Sequence, residues 1–236
     1  MPVSFRGVYD RLLADYGPRG WWPGESAFEI MVGAVLTQNT AWTNVEKAIA
    51  NLKHARVWSP RAIVEIHPRR LASLIRPSGY YNVKARRLRA LCRWVVARGG
   101  VRRLAALATD ELRAELLAVH GIGPETADDI LLYAFERPVF VIDAYTRRIF
   151  TRLGLIDGDE SYETLRSRFE LALGTDVSLY NEYHALIVRH GKDTCRTTPR
   201  CRHCCLARVC GSGGGLRRES AQTGCRRGAE PQKSQR

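Results

Sequence analysis

Apolar residues recur at helical spacing along almost the whole chain, whereas the alternation typical of β-strands is nearly absent. The run FVI at 140–142 is too short to indicate a strand. Gly and Pro mark short connections between the periodic segments. We therefore predict an all-α protein. The predicted helices cover residues 27–38, 84–97, 110–119, 125–135, 143–153 and 161–173.

The charge balance indicates a polyanionic partner. The chain has 236 residues, with 37 Lys and Arg against 24 Asp and Glu, and a formal net charge of +13. A basic surplus of this size suits binding to nucleic acid. Only five of the 37 basic residues are Lys. The others are Arg, which stays protonated, so it grips phosphate but cannot act as an amine nucleophile.

The sequence also bears on the cellular location of the protein and on its C-terminal tail. No run of about 20 apolar residues is present, and the N-terminal residues carry charge throughout. We therefore expect neither a membrane-spanning helix nor a secretory signal, and a cytoplasmic location that is nucleoid-associated if the source is bacterial. Residues 212–236 hold six basic and two acidic residues and few apolar ones, which predicts a disordered basic tail.

Five of the seven cysteines lie within sixteen residues, in the segment CRTTPRCRHCCLARVC. Four of them follow the spacing C-x5-C-x2-C-x5-C. Disulfides are disfavoured in the cytosol, so this pattern predicts a metal site, and four thiolates can hold zinc or a [4Fe-4S] cluster. A single C-x2-C pair in one tight loop favours the compact cluster. The predicted ligands are Cys195, Cys201, Cys204 and Cys210, with Cys205 as a rival to Cys204.

A second motif lies at 112–135, where two helical patterns flank His-Gly-Ile-Gly-Pro. Gly121 and Gly123 permit a tight turn with positive φ, and Pro124 suits the first position of the next helix. Such a hairpin can present backbone N–H groups to a DNA phosphate, although an ordinary helix–helix connection has the same signature. Further on, Asp143 follows an apolar run and precedes an amphipathic helix, so it also fits a helix N-cap.

Together these motifs resemble the endonuclease III branch of the helix–hairpin–helix DNA glycosylases. The shared order is a helix–hairpin–helix, a loop with an Asp, and four clustered Cys. Three further segments are similar to the family: VGAVLTQNTAWTNVEKA at 32–48, SGYYNVKARRL at 78–88 and HALIVRHGKDTC at 184–195. The first cysteine gap is one residue shorter than is usual in the family, which does not exclude a cluster.

The resemblance implies a helix–hairpin–helix glycosylase fold, with two helical domains, a cleft for DNA and a C-terminal iron–sulfur loop. It implies a six-helix domain at 25–135 and a cluster-bearing domain made of 1–24 plus 136–211. It also implies a monomer that binds double-stranded DNA containing a damaged base, with a [4Fe-4S] cluster as cofactor. The implied DNA-binding residues are Gln38, Gly121, Ile122, Gly123, Lys84 and Lys192.

The resemblance also bears on the reaction. In bifunctional members a Lys just after the hairpin attacks the sugar and forms a Schiff base. Glu125 occupies that position here, and the stretch from 85 to 191 contains no Lys. The family's Asp is present as Asp143, and its implied role is to stabilise positive charge at the sugar and help deliver water. We therefore expect base excision DNA repair by a monofunctional glycosylase, a hydrolase of the N-glycosidic bond.

The excised base is less well defined by the sequence. Aromatic side chains bind a cationic base by stacking and cation–π attraction, so Trp21, Trp22 and Phe28 form the candidate base pocket. Packing in the protein core accounts for either tryptophan equally well. The segments WWP, LTQNT, RPSGYYN and GIGPETAD resemble the 3-methyladenine glycosylases built on the endonuclease III fold, which implies an alkylated purine. The alternatives are a bifunctional glycosylase and AP lyase on oxidised pyrimidines, a mismatch thymine or uracil glycosylase, and a non-catalytic DNA-binding protein.

Overall fold

The computed structural model describes residues 3–20 and 24–213, and this part of the chain contains helices and loops but no β-strand. The predicted all-α class is therefore confirmed. Trp21, Trp22 and residues 214–236 of the predicted tail lie outside the described residues. The helices are α1 (Phe5–Tyr16), α2 (Ala27–Thr37), α3 (Trp42–His54), α4 (Pro60–Glu65), α5 (Pro68–Leu74), α6 (Tyr81–Ala97), α7 (Val101–Leu104), α8 (Thr109–Ala118), α9 (Pro124–Asp129), α10 (Ala144–Leu153), α11 (Tyr162–Leu173) and α12 (Val177–Asp193).

Short helical turns complete the secondary structure. A π-helical turn, Ile130–Ala134, directly follows α9. Such turns are rare and frequently lie at functional sites. Four 3₁₀ turns cover Arg76–Ser78, Cys201–His203, Ala207–Val209 and Gly211–Gly213.

Serine caps and prolines define where several helices begin. The Ser26 hydroxyl accepts a hydrogen bond from the backbone N–H of Glu29 at 3.2 Å, and the Ser-x-x-Glu spacing is that of a capping box. Proline stands in the first turn of α4, α5 and α9, where its missing N–H costs no hydrogen bond. Serine side chains cap three further helices in the same way, at Ser4, Ser59 and Ser161.

The chain divides into two compact units. The hairpin unit comprises the described residues of Arg19–Asp143 and Ser161–Ala185, and the cysteine unit comprises those of Met1–Pro18, Ala144–Glu160 and Leu186–Arg236. Residues 136–143 thus belong to the same unit as the hairpin. The domain boundaries implied by the family resemblance stay a prediction.

Helix α2 forms the centre of the hairpin unit. Its residues Ile30, Met31, Val32, Val35 and Leu36 are all buried, so the helix is covered on nearly every side. Apolar side chains of α3, α6, α8 and the hairpin complete this core. Among the described residues, no helix is long and apolar enough to cross a membrane.

Candidate active site and cysteine loop

The hairpin between α8 and α9 is anchored by its central isoleucine. Ile122 is buried in the core of the hairpin unit, and its N–H donates to the carbonyl oxygen of Val119 at 3.1 Å. Gly121 has φ of +86°, whereas Gly123 has φ of −93° and lies exposed at the start of α9. The tight turn expected from the Gly-x-Gly pattern is therefore present, with positive φ at the first glycine.

Gly121 also permits a close approach by α6. The side chain of Arg87 crosses the turn so closely that a Cβ on Gly121 would lie 2.2 Å from its Cγ. Real Cβ atoms do not approach carbon this closely, so a larger residue would displace the arginine or the turn. Both the positive φ and the contact with Arg87 therefore require glycine at this position.

Gln38 connects the end of α2 to the hairpin. Its Nε2 donates to the carbonyl oxygen of Gly121 at 3.2 Å and to the hydroxyl of Thr126 at 3.0 Å. Its Oε1 accepts a hydrogen bond from the guanidinium of Arg87. Gln38 and Gly121, both predicted DNA-binding residues, are thus in direct contact, and both ends of the Gln38 amide are occupied.

Lys84 is buried, with only 2% of its surface exposed. Its ammonium donates to the carbonyl oxygens of Leu36 at 2.8 Å and Ser78 at 2.6 Å. Burial, with a smaller contribution from Arg87, lowers the pKa of Lys84 to about 8. Lys84 therefore joins the end of α2 to the turn before α6, and a DNA contact by its side chain stays a prediction.

The turn held by Lys84 presents an aromatic side chain that the sequence reasoning missed. Tyr80 is 74% exposed and has φ of +42°, which is uncommon for a residue with a side chain. Residues held in such conformations cluster at functional sites. The available signal was the pair of tyrosines directly after Pro77-Ser78-Gly79, but a turn of this composition does not reveal which ring faces solvent.

Asp143 ends an extended segment whose backbone is held by side chains. The N–H of Phe140 donates to Oε1 of Glu170 at 3.0 Å, and the N–H of Ile142 donates to the hydroxyl of Tyr162 at 3.3 Å. Both acceptors come from α11, so this helix takes the place of a strand partner. Asp143 itself is buried and directly precedes α10.

Tyr162 also links the extended segment before Asp143 to α9, because it contacts a buried ion pair. Asp128 is fully buried and receives hydrogen bonds from Arg113 at 2.7 and 3.2 Å. Burial raises the pKa of Asp128, while Arg113, a hydrogen bond from Tyr162 and the charge of Arg166 oppose the rise. Breaking a pair of this kind costs about 3–5 kcal/mol, because the remaining charge stays buried. The loop before Asp143 and the hairpin helix are therefore held by one network.

His184 on α12 lies beside Asp143. Its Nε2 is 3.6 Å from Oδ2 of Asp143, and its Nδ1 is hydrogen-bonded to the hydroxyl of Tyr133 at 2.5 Å. Tyr133 belongs to the π-helical turn, and burial raises its pKa well above the ordinary value. This histidine was missed by the sequence reasoning, because its nearness to Asp143 depends on two segments that are far apart in the chain.

Further carboxyl groups approach this pair from α9. Glu125, Asp129 and Tyr133 recur at intervals of four residues along α9 and the π-helical turn. Burial raises the pKa of Asp129 to about 8, with the charge of His184 opposing the rise. The charges of Glu125 and Asp143 add to it. The two predicted catalytic positions, Asp143 and Glu125, are therefore close enough to interact with the same aspartate and histidine.

The cysteine loop lies in the cysteine unit, where arginines of α10 hold its beginning. Arg152 donates to the sulfur of Cys195 at 3.3 Å, and Arg148 donates to the carbonyl oxygen of Cys195 at 2.9 Å. At the other end of the loop, the thiol of Cys210 donates to the carbonyl oxygen of Arg152 at 3.2 Å. Arg152 therefore contacts the first and the last cysteine of the predicted set.

The surroundings of Cys204 and Cys205 differ. Burial raises the pKa of Cys204, and the charges of the Cys195, Cys210 and Cys201 thiols add to the rise, so each of these three lies within electrostatic range of Cys204. Burial also raises the pKa of Cys205 to about 12, but its next neighbour is Asp15. Among residues 3–20 and 24–213, no three His, Cys, Asp or Glu side chains are gathered closely enough to hold a single metal ion.

The remaining predicted site residues lie apart from these networks. Lys192 is exposed in the cysteine unit, near the end of α12. Phe28 is half-buried in the hairpin unit and packs edge-on against Trp58, with 5.6 Å between ring centroids. This contact accounts for Phe28 by packing, and its place in a base pocket stays a prediction.

The chain is similar to known proteins over most of its length. A family model described as HhH-GPD superfamily base excision DNA repair protein matches residues 32–173. A Methanocaldococcus jannaschii protein, provisionally named a DNA repair glycosylase, is 46% identical over 206 residues, which cover 86% of this chain and 94% of the relative. Endonuclease III of Thermotoga maritima is 31% identical over 184 residues, which cover 78% of this chain and 82% of the relative.

Solved structures agree with these sequence relatives. The 3-methyladenine DNA glycosylase MagIII of H. pylori, bound to 1,N6-ethenoadenine, is 30% identical with a TM-score of 0.71, covering 80% of this chain and 98% of that chain. An endonuclease III in a non-covalent complex with DNA has a TM-score of 0.77 and covers 92% of this chain and 99% of that chain. At 22% identity, this second likeness bears on the fold alone.

The contact between Gly121 and Arg87 predicts an unusual cost for a small substitution. Gly121→Ala adds a methyl group where Arg87 already lies, so we expect it to destabilise the protein by about 1–3 kcal/mol more than backbone strain alone. Gly79→Ala is the matched control, because Gly79 also has positive φ (+68°) but open space around the added carbon. Urea unfolding of both variants measures the difference. Equal losses of stability would show that Arg87 yields without cost.

Proposed function

Since the chain belongs to the HhH-GPD superfamily of base excision DNA repair proteins, we propose that it is a monofunctional DNA glycosylase. In this proposal it acts on a damaged base flipped out of double-stranded DNA, hydrolyses the N-glycosidic bond and leaves an abasic site. The observation that carries the proposal is a buried Asp143 beside His184, together with a glutamate at position 125 where a lyase needs lysine.

Asp143 is the proposed catalytic carboxylate. Departure of the base leaves positive charge on the sugar, in a transition state that resembles an oxocarbenium ion. A carboxylate held in a site of low water content stabilises such charge far more strongly than one in bulk water. The side-chain bonds from α11 to the preceding backbone support this role, because they hold Asp143 in one place before the substrate arrives.

The glutamate at position 125, where a lyase of the family carries lysine, argues against the lyase route. Glu125 cannot form an imine, and the chain has no Lys between 85 and 191. Lys84 has a lowered pKa, but its ammonium is buried and donates to two carbonyl oxygens. These observations support hydrolysis by water in place of covalent catalysis, and they leave Glu125 without an assigned catalytic step.

An alkylated purine is the proposed lesion. Alkylation at a ring nitrogen gives the base a positive charge, so it departs as a neutral molecule without a proton donor. A site that supplies a catalytic carboxylate and needs no general acid suits such a leaving group. The likeness to MagIII, whose name and bound ligand refer to modified adenines, supports the same class of lesion.

DNA contacts are proposed on each unit separately. In the hairpin unit, the exposed turn at Gly123 can meet a phosphate, and the Tyr80 ring can stack on a base. In the proposal Gln38 exchanges its bonds to the hairpin for bonds to DNA. In the cysteine unit, Lys192 is exposed near the end of α12, and the basic loop that follows contains the exposed Arg196, Arg200 and Arg202. The proposed complex contains one protein chain and one duplex.

The proposed cofactor is a [4Fe-4S] cluster held by Cys195, Cys201, Cys204 and Cys210. The residues fit this group: Cys204 interacts with the other three thiols, and the guanidinium of Arg152 donates to Cys195. The four predicted ligands match the four Cys thiolates that would hold such a cluster. When bound, the cluster ties the loop together by four iron–thiolate bonds.

The proposed cluster gives opposite expectations for two neighbouring cysteines. The purified protein should be brown and contain about four iron atoms per chain. Cys204→Ser should lose most of this iron, because it removes a ligand, whereas Cys205→Ser should keep it. Iron analysis and the visible absorbance measure both variants. A colourless protein that binds zinc, or loss of iron only in Cys205→Ser, would contradict the assignment.

The role of Asp143 predicts loss of chemistry with DNA binding intact. Asp143→Asn keeps the size of the side chain but removes its charge, so we expect base release to fall by at least about 10²-fold. Its affinity for undamaged duplex should not change. The measurement is single-turnover release from duplexes with methylated, deaminated or oxidised bases, and the exposed Asp159→Asn is the control.

Two results of the base-release experiment would contradict the proposed glycosylase mechanism. Undiminished release by Asp143→Asn would make Asp143 a structural residue only. Tight binding by the unaltered protein without release of any base would favour a non-catalytic DNA-binding protein.

A further inference from the structure

The proposed reaction leaves one buried polar side chain beside Asp143 without a role. His184 is only 5% exposed, and both of its ring nitrogens face polar groups. Nε2 lies 3.6 Å from a carboxylate oxygen of Asp143, and Nδ1 is hydrogen-bonded to the hydroxyl of Tyr133. The ring is therefore held between the extended segment and the π-helical turn.

The charged groups around this ring are acidic and come from each neighbouring element. Burial by itself lowers the pKa of His184, but the carboxylate of Asp143, 3.6 Å away, with smaller contributions from nearby acids, raises it overall. The imidazolium therefore persists above the pH at which an ordinary histidine loses its proton. The groups that face the ring or its partner Tyr133 are Asp143 on the extended segment, Glu125 and Asp129 on α9, and Glu182 on α12.

We propose that His184 is a positioning residue that acts through Asp143, an inference that rests on the glycosylase function proposed above. Its imidazolium donates from Nδ1 to the hydroxyl oxygen of Tyr133 and points Nε2–H at the Asp143 carboxylate. This arrangement fixes the carboxylate rotamer and keeps its negative charge directed at the sugar. The proton stays on the ring throughout, and His184 forms no bond to the substrate.

Stability alone is a poor reason for this arrangement. Taking a histidine and an aspartate out of water costs free energy, and apolar residues of similar size often serve a core as well or better. A charged pair is more useful where a carboxylate must stay ionised in a site without water. The cation then offsets the free energy lost by burying the negative charge. The position of the pair next to the proposed reacting centre agrees with this use.

The proposal gives base release a specific dependence on pH. The pKa of His184 is raised above its usual value, chiefly by the neighbouring Asp143, so the imidazolium persists to higher pH than an ordinary histidine and disappears as the pH rises through the raised pKa. The rate should therefore fall on the alkaline side when His184 loses its proton. A neutral ring no longer offsets the charge of Asp143.

The test combines kinetics with NMR spectroscopy on the full chain. His184→Gln keeps a polar side chain of similar reach but cannot carry charge, so single-turnover release from a methylpurine duplex should fall about 10²-fold. The alkaline fall in rate should disappear from its pH profile, while affinity for the duplex stays unchanged. Tyr133→Phe removes only the second anchor and should give a smaller loss with the alkaline fall retained.

The NMR titration follows the ring protons of His184 and needs no turnover. In the unaltered protein His184 should titrate above 6.5, and in Asp143→Asn its pKa should fall. An unchanged titration in Asp143→Asn, or a His184→Gln variant with the original rate and pH profile, would overturn the proposal. Failure of the unaltered protein to release any base would instead defeat the glycosylase function, whatever the titration shows.

Discussion

A buried peptide group that lacks a strand partner must find another one, and the extended segment before Asp143 depends on this requirement. Glu170 and Tyr162 of α11 accept hydrogen bonds from its backbone, and Tyr162 in turn donates to the buried Asp128 of α9. The position of Asp143 and the orientation of the hairpin helix are therefore set by the same few bonds. These bonds hold Asp143 in place in the absence of substrate, as the role proposed for it in electrostatic stabilisation requires.

Much of the architecture could be predicted from local sequence. The apolar periodicity at 27–38 and 161–173 corresponds to α2 and α11, because helical spacing, serine caps and proline starts act within a few residues. The tight turn at Gly121 and the absence of a strand at 140–142 follow from equally local signals. The order of the motifs predicted Asp143 as the catalytic carboxylate, and in the structure this side chain is buried.

The rest of the site could not be predicted, because its contacts join distant parts of the chain. Lys84 is one of the predicted DNA-binding residues, yet its ammonium is buried between the end of α2 and the turn before α6. His184 looks like part of an amphipathic helix, and only folding brings it beside Asp143. The exposure of Tyr80 and the packing of Phe28 likewise depend on which neighbours the fold supplies, which residue type and spacing do not encode.

The central claim is that a carboxylate and water, without an amine nucleophile, release the base. The direct measurement incubates the protein with a duplex containing a methylated purine, in the presence of borohydride, and quantifies free base and covalent protein–DNA adduct in the same reaction. The account predicts free base and no adduct, because no imine forms with Glu125 at the position where a lyase carries lysine. A borohydride-trapped adduct would contradict it and would establish a lyase that uses another amine.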